Sequence, residues 1–310
     1  MNKVLQTLVL DGGLATEMER RGHSLADHLW SARLLRDSPE TIVEIHREYL
    51  HAGADVITSC SYQASIDGYV RAGVSHGQAI ELLRESIRAA RRAIAAEESH
   101  VSCSAQQPLV AASIGPYGAC LGDGSEYRGQ YGVSKISLNA FHEERWAILE
   151  EEKPDVMLIE TLPSFDELVV LLDLIDCNAR TPVWISFQCR DAFHLADGTS
   201  LFQCLDLVNG NKQVEAVGVN CVAPSQATSV LEHLVTLTEL PLLACPNSGE
   251  RWDAHNKCWC ESSREERVAG QLSHWNELPM RAVGGCCRTR PNDIAEIAAW
   301  VQSKTTLRKI

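Results

Sequence analysis

Eight short aliphatic runs, each ending in small or polar residues and each separated from the next by a helix-like stretch, constrain this chain more than any other feature. In order they are Leu8 to Asp11, Asp55 to Ser59, Leu109 to Ile114, Val156 to Glu160, Val183 to Phe187, Ala216 to Cys221, Leu242 to Cys245 and Arg281 to Gly285. Continuous apolar runs of this length suit strands buried on both faces, hence a parallel sheet covered by helices. The segments between them carry helix-start chemistry. Ser75 precedes Gln78 and Ser164 precedes Glu167 in capping-box spacing, and Ser38-Pro39 reads as a cap followed by a proline at the first helical position. Gly53 is placed to end the helical run Thr41 to Ala52 in a left-handed conformation, and Pro224 and Pro291 stand where helices should follow the sixth and eighth strands.

Strand-helix alternation repeated eight times predicts an α/β fold of the closed (β/α)8 barrel type. An open doubly wound sheet is the competing reading. It calls for a glycine-rich phosphate loop after an early strand, and Asp11-Gly12-Gly13 lacks the G-x-G-x-x-G spacing. No linker or break in composition divides residues 1–310, so one domain is expected. Two connections exceed what a barrel needs: Gly115 to Ser134 after the third strand, and Pro246 to Ser263 after the seventh. Both leave the carboxyl ends of strands, where barrel enzymes build their sites, and are candidate walls or lids.

The formal net charge of -13, with no compensating block of Lys and Arg, argues against nucleic acid and anionic membrane surfaces as partners and favours cationic or zwitterionic small molecules. Met1 to Leu10 is a poor signal peptide, and no run approaches the apolar length of a spanning helix; a cytoplasmic protein is the expectation. Of the 12 cysteines, Cys60, Cys103, Cys120, Cys177, Cys189, Cys204 and Cys245 read as small buried hydrophobes.

Strand carboxyl ends in a barrel converge on one mouth. Here they bring Asp11, Glu160, Cys221 and the pair Cys286-Cys287 together, three thiols and two carboxylates. Three protein ligands with a fourth position open is the pattern of a catalytic zinc site. Adjacent strand residues point to opposite faces, so Cys286 and Cys287 must lie past the strand end, with Gly284-Gly285 supplying freedom to turn. A vicinal disulfide or two inert thiols are the alternatives, and His255 with Cys258 and Cys260 is a rival zinc set. Thiolates are soft ligands that select Zn2+ over magnesium or calcium. Three of them leave zinc a feeble Lewis acid, better at presenting a thiol as its thiolate than at activating water, which points to alkyl transfer onto sulfur.

These residues resemble the homocysteine S-methyltransferases, especially the branch that uses S-methylmethionine, over almost the whole chain. The likeness rests on Leu10-Asp11-Gly12-Gly13 with Ala15-Thr16-Glu17, Leu25-Ala26-Asp27 with Leu29-Trp30-Ser31-Ala32, Ser61-Tyr62-Gln63-Ala64 and Ser113 to Gly118. It continues through Asp123 to Gly129 and Glu160-Thr161-Leu162-Pro163, and is most specific in Gly218-Val219-Asn220-Cys221, Pro246 to Glu250 and Gly284 to Cys287. The resemblance implies that Cys221, Cys286 and Cys287 ligate zinc and that the fourth position takes homocysteine sulfur. It also implies that Asp11 and Glu160 hold the acceptor's ammonium group and that a sulfonium donor supplies the methyl. Aromatic faces hold sulfonium cations, making Trp30, Tyr62, Tyr117 and Tyr127 candidate donor walls. Asn220 is a candidate weak oxygen ligand when acceptor is absent. S-methylmethionine is the favoured donor and S-adenosylmethionine or betaine the alternative; selenocysteine and selenohomocysteine are further candidate acceptors. The rival readings are a barrel enzyme binding phosphate at Gly284-Gly285 and a non-catalytic zinc- or amino-acid-binding barrel.

Overall fold

The computed structural model describes residues 6–25, 29–98, 107–253, 258–260 and 263–307. All eight anticipated strands form: β1 (Leu8–Val9), β2 (Val56–Thr58), β3 (Leu109–Ile114), β4 (Val156–Leu162), β5 (Val183–Phe187), β6 (Val214–Asn220), β7 (Leu242–Cys245) and β10 (Met280–Val283). A two-stranded antiparallel ribbon, β8 (Arg251–Asp253) and β9 (Cys258–Cys260), rises from the long connection between β7 and β10. The eight pair side by side in the order β1-β10-β7-β6-β5-β4-β3-β2, and every pairing is parallel. A bridge between Leu10 and Val56, flanked by hydrogen bonds from Asp55 N to Val9 O and from Asp11 N to Val56 O, joins the two ends of the sheet into a (β/α)8 barrel.

Burial on both faces explains why the strands read as unbroken apolar runs. In β4, Val156 and Leu158 join Leu8, Leu10, Val56, Ala111, Trp184, Ala216, Leu243 and Ala282 inside the barrel, while Met157 and Ile159 join the larger core between sheet and helices. Each such aliphatic side chain removed from water contributes roughly 1.5–3 kcal/mol, so the alternation fixes the register of every strand. Barrel closure leaves almost no room at Gly218 on β6, where a Cβ would stand 2.0 Å from Leu243 O.

Helix starts follow the sequence with one instructive exception. Ser75 and Gln78 form the reciprocal capping box before the helix His76–Glu98. Pro39, Pro224 and Pro291 each open a helix, and Gly53 has φ +97°. Ser164 Oγ accepts from Glu167 N as expected, but the Glu167 side chain does not reach back. It is fully buried and instead accepts hydrogen bonds from Tyr117 N, Tyr131 Oη and His142 Nε2, tying the long third connection to the barrel wall. Among the described residues, no helix is long and apolar enough to cross a membrane.

Candidate active site

The inward-facing residues at the strand carboxyl ends form one polar layer above the apolar barrel interior. β1 leads into Asp11, β2 ends in Thr58, β3 contributes Ser113, β4 Glu160, and β6 runs out through Asn220 to Cys221. Next to β1, the chain leaving β10 delivers Cys286 and Cys287. The Sγ atoms of Cys221, Cys286 and Cys287 all lie within 4.8 Å of one another, and Cys221 Sγ is 3.7 Å from Cys287 Sγ. Thiolates about 2.3 Å from a tetrahedral ion stand about 3.8 Å apart, so this donor set fits a zinc-sized soft cation. The three thiols open into a cavity of about 1030 Å³ that Asp11, Thr58, Tyr62, Glu126, Tyr127 and Glu160 also line.

Both cysteines of the adjacent pair lie past the end of β10, as strand geometry requires. The turn that presents them is not made by Gly284-Gly285, neither of which has positive φ. Those glycines serve close approach instead: a Cβ on Gly284 would lie 2.5 Å from Leu10 Cβ, and one on Gly285 2.3 Å from Thr289 Oγ1. Around the cavity the left-handed non-glycine residues are Cys221 (φ 58°), Thr161 (φ 57°) and Arg288 (φ 67°), each a ligand candidate or the residue just after a candidate site residue; among the described residues only Lys153 (φ 52°) is a further case. Such a conformation costs a non-glycine residue about 1–2 kcal/mol and persists only when surroundings enforce it. Here they do. Cys221 N donates to Cys245 O, Thr161 N to Asn220 Oδ1, and Arg288 N to Thr16 Oγ1.

The segment Pro246 to Glu250 cradles the cysteine pair. Pro246 O accepts from Cys286 N, Asn247 Oδ1 from Cys287 N, and Glu250 Oε2 from Arg288 Nε, while Ser248 N donates to Cys287 O. Hydrogen bonds from the Cys221 and Cys286 thiols push the Cys287 thiol well below its ordinary pKa, while contacts with Cys221 and Cys287 push Cys286 up. A cation bound among the three would favour the thiolate form of each.

In the same layer, both Asp11 oxygens are held by Thr58: Oδ2 accepts from its backbone N at 2.8 Å and Oδ1 from its hydroxyl at 2.8 Å. Burial raises the Asp11 carboxyl from 3.8 to about 7 against the opposing pull of these bonds. Burial likewise raises Glu160 from 4.5 to about 7, although the Ser113 hydroxyl donates to it. Two buried acids poised near neutrality in one cavity suit a ligand that brings its own positive charge.

Asn220 is buried and fully engaged. Its Oδ1 accepts from Thr161 N at 2.7 Å and Ser186 Oγ at 2.9 Å, and its Nδ2 donates to Thr161 Oγ1 and to Glu160 Oε2. No oxygen lone pair is left for a metal, so the expected weak-ligand role gives way to that of a brace beneath Glu160. Among the aromatic candidates, Tyr62 and Tyr127 line the cavity, and Tyr127 Oη lies 3.5 Å from Cys221 Sγ. Tyr117 does not: its ring packs against Tyr131 and Phe141, with centroids 5.6 and 5.1 Å away. Trp30 opens the short 3-10 turn Trp30–Ala32, and its side chain lies outside the described residues.

In the rival zinc set, Cys258 and Cys260 lie on β9, and His255 falls outside the described residues, as does Cys103. Cys60, Cys189 and Cys204 are buried as anticipated, whereas Cys120 and Cys245 are half-buried and Cys177 is exposed; Cys60 and Cys245 also line the cavity. The reading from sequence alone also passed over Thr58, Ser113, Glu126 and Thr289. The motifs containing the first three of these positions or their neighbours were visible, but residue type alone does not tell a hydroxyl that positions a carboxylate from any other strand-end Ser or Thr.

Comparison with known proteins agrees with this architecture. Residues 8–301 match the homocysteine S-methyltransferase family. The chain is 40% identical over 304 residues to homocysteine S-methyltransferase YbgG of Bacillus subtilis, covering 96% of each chain. It is 43% identical over 295 residues to homocysteine S-methyltransferase of Escherichia coli, covering 94% of each. The metallated crystal form of the Escherichia coli homocysteine methyltransferase MmuM superposes with a TM-score of 0.85 at 41% identity, over 95% of this chain and 96% of that one. The chain therefore belongs to the homocysteine S-methyltransferase family of methyltransferase enzymes.

Proposed function

We propose that the protein transfers a methyl group from a sulfonium donor, S-methylmethionine in the first instance, to the thiol of L-homocysteine, giving methionine, with Zn2+ held by Cys221, Cys286 and Cys287. The observation that carries this reading is the convergence of three thiols within 4.8 Å at the wall of a cavity that two buried carboxylates also line. A zinc ion bound by three thiolates supplies little Lewis acidity toward water but lowers the pKa of a fourth, incoming thiol.

The protein's own groups do the rest. Asp11 and Glu160 hold the acceptor's ammonium, and that positive charge restores ionisation to acids that burial has raised to about 7. Thr58 fixes Asp11, while Ser113 and Asn220 fix Glu160, so that an amino acid anchored between them directs its side chain toward the sulfurs. The acceptor sulfur attacks the sulfonium methyl carbon in line as the carbon–sulfur bond to the donor breaks. The electron pair of that bond stays on the departing sulfur, which leaves as a neutral thioether. No proton moves in this step, so positioning carries the catalysis. Anionic sulfur and cationic sulfonium become two neutral products, a change favoured when Tyr62, Tyr127 and the long third connection exclude water.

The test is methionine formation by reduced, zinc-loaded protein given homocysteine with S-methylmethionine or S-adenosylmethionine in parallel, with a chelator-stripped control. Zinc-dependent methionine with a sulfonium donor supports the reading. Its absence with both donors overturns it and leaves a barrel that binds metal or amino acid without turnover.

A further inference from the structure

Glu126 is a carboxylate that the reading above leaves unused. It sits on the 3-10 turn Ser125–Tyr127 of the long connection after β3, and its side chain lines the same cavity as the three thiols. Its Oε2 atom is buried and makes no hydrogen bond. The other carboxylates lining the cavity differ. Asp11 and Glu160 have both oxygens engaged, and Glu19 is exposed. A buried acceptor left without a partner costs free energy and is rare unless something else fills the position.

The turn that carries Glu126 is held from several sides. Ser125 is buried and its backbone N donates to Asp123 Oδ1 at 2.9 Å. Gly118 packs so closely beneath that a Cβ there would lie 2.7 Å from Glu126 N and 2.5 Å from the Tyr131 ring. Tyr131 is in turn bound to buried Glu167. The orphaned oxygen is thus presented by a fixed backbone. Burial, and then the neighbouring negative charges of Asp123 and Cys287, raise the Glu126 carboxyl above the ordinary range, opposed in part by its own backbone N–H and by Arg128. A cation brought against it relieves that penalty.

We infer that Glu126 is the counter-charge for the donor's sulfonium centre, the residue that makes the cavity select a cationic methyl donor over a neutral thioether; this rests on the methyl-transfer reading above. Geometry decides which charge of the donor it meets. The acceptor sulfur must come within about 3–3.5 Å of the transferring methyl carbon, and the donor sulfur lies one bond beyond. The sulfonium must therefore sit beside the thiol triad, where Tyr127 Oη lies 3.5 Å from Cys221 Sγ and where the Glu126 carboxyl is near enough to feel the charge of Cys287. The donor's ammonium, two methylene groups and an α-carbon away, lies farther out. Acceptor ammonium is assigned to Asp11 and Glu160, whose oxygens are already held by Thr58, Ser113 and Asn220, so Glu126 divides the labour of one cavity between two zwitterions.

The test uses the full-length zinc-loaded protein and its Glu126→Gln and Glu126→Asp variants. Steady-state kinetics with homocysteine and S-methylmethionine are paired with calorimetric binding of S-methylmethionine, and of methionine as its neutral thioether counterpart, in the absence of acceptor. Glu126→Gln should raise both the KM and the Kd for S-methylmethionine about tenfold or more, the usual scale for losing one charge-assisted contact. Homocysteine KM, zinc content and methionine affinity should stay within about twofold, and Glu126→Asp should recover part of the loss. An unchanged donor KM and Kd in Glu126→Gln overturns the inference, as does an equal loss of affinity for methionine, which would assign the contact to the ammonium. Wild-type protein that makes no methionine refutes the methyl-transfer reading itself, an outcome separate from either of these.

Discussion

Asp11→Asn isolates what the acceptor site costs the fold. Asparagine is nearly isosteric and keeps both contacts with Thr58, accepting from its backbone N and donating to its hydroxyl where the carboxylate accepted. What changes is the charge. Burial raises the carboxyl from 3.8 to about 7, so the folded state holds this proton more tightly than the unfolded chain does. The sign follows. Below about pH 4 the acid is protonated in both states and costs nothing; as pH rises toward 7 the unfolded chain ionises first, and wild-type stability falls. At about 1.4 kcal/mol per pH unit, the penalty is about 4 kcal/mol at pH 8 and about 2 kcal/mol at pH 5. Asp11→Asn should therefore be more stable than wild type by these amounts, measured by urea unfolding with both proteins in the same metal state. The same variant should lose homocysteine affinity by tenfold or more, since one of the ammonium's two counter-charges is gone. A stability difference that does not grow between pH 5 and pH 8 would refute the argument that burial dominates this carboxyl.

Cys287→Ser should abolish both zinc retention and turnover while far-UV circular dichroism stays that of the barrel; full zinc content by elemental analysis together with full rate would remove Cys287 from the metal site. Asn220→Ala strips acceptors from Thr161 N and Ser186 Oγ and a donor from Glu160. It should cost about 2–4 kcal/mol in urea unfolding and raise homocysteine KM more than donor KM. Gly218→Ala drives a methyl to 2.0 Å from Leu243 O inside the barrel, and should cost at least about 3 kcal/mol or prevent folding, read from soluble yield and unfolding midpoint.

The fold was legible because a (β/α)8 barrel buries every strand twice. Val156 to Ile159 shows no polar alternation to confuse with an exposed sheet, and each of the eight runs begins or ends within a few residues of its strand. The meeting of the three thiols was legible for a related reason: strand ends converge in a barrel, which brings Cys221 to Cys286-Cys287 although 66 residues separate Cys221 from Cys287. Side-chain choices among several partners were not legible. Glu167 stands in capping-box spacing yet serves Tyr117, Tyr131 and His142, because a fully buried carboxylate goes where the most donors are. Tyr117 and Tyr127 lie ten residues apart in one connection, and only packing against Phe141 turns the first away from the cavity. The turn at the adjacent cysteines was assigned to glycines because glycine permits positive φ, but permission is not use.

That last point reaches beyond one turn. Residues with left-handed backbone at Thr161, Cys221 and Arg288 each follow directly on a proposed site residue or are one, and each is enforced by a partner from elsewhere in the chain: Asn220, Cys245 and Thr16. Glycine would relieve the local strain at all three, yet it would also let the backbone explore other conformations and release the side chain from its aim. Cys221 as glycine would lose the thiol that the proposed metal site requires. Thr161 as glycine would lose the hydroxyl that accepts from Asn220, and with it part of the brace under Glu160. The strain is thus tied to function residue by residue, and it adds to the penalty of two acids held near neutrality in a buried layer. What offsets both is the double-sided apolar core below, which explains why the polar layer occurs only at the strand carboxyl ends, where one turn of backbone separates full burial from an open cavity.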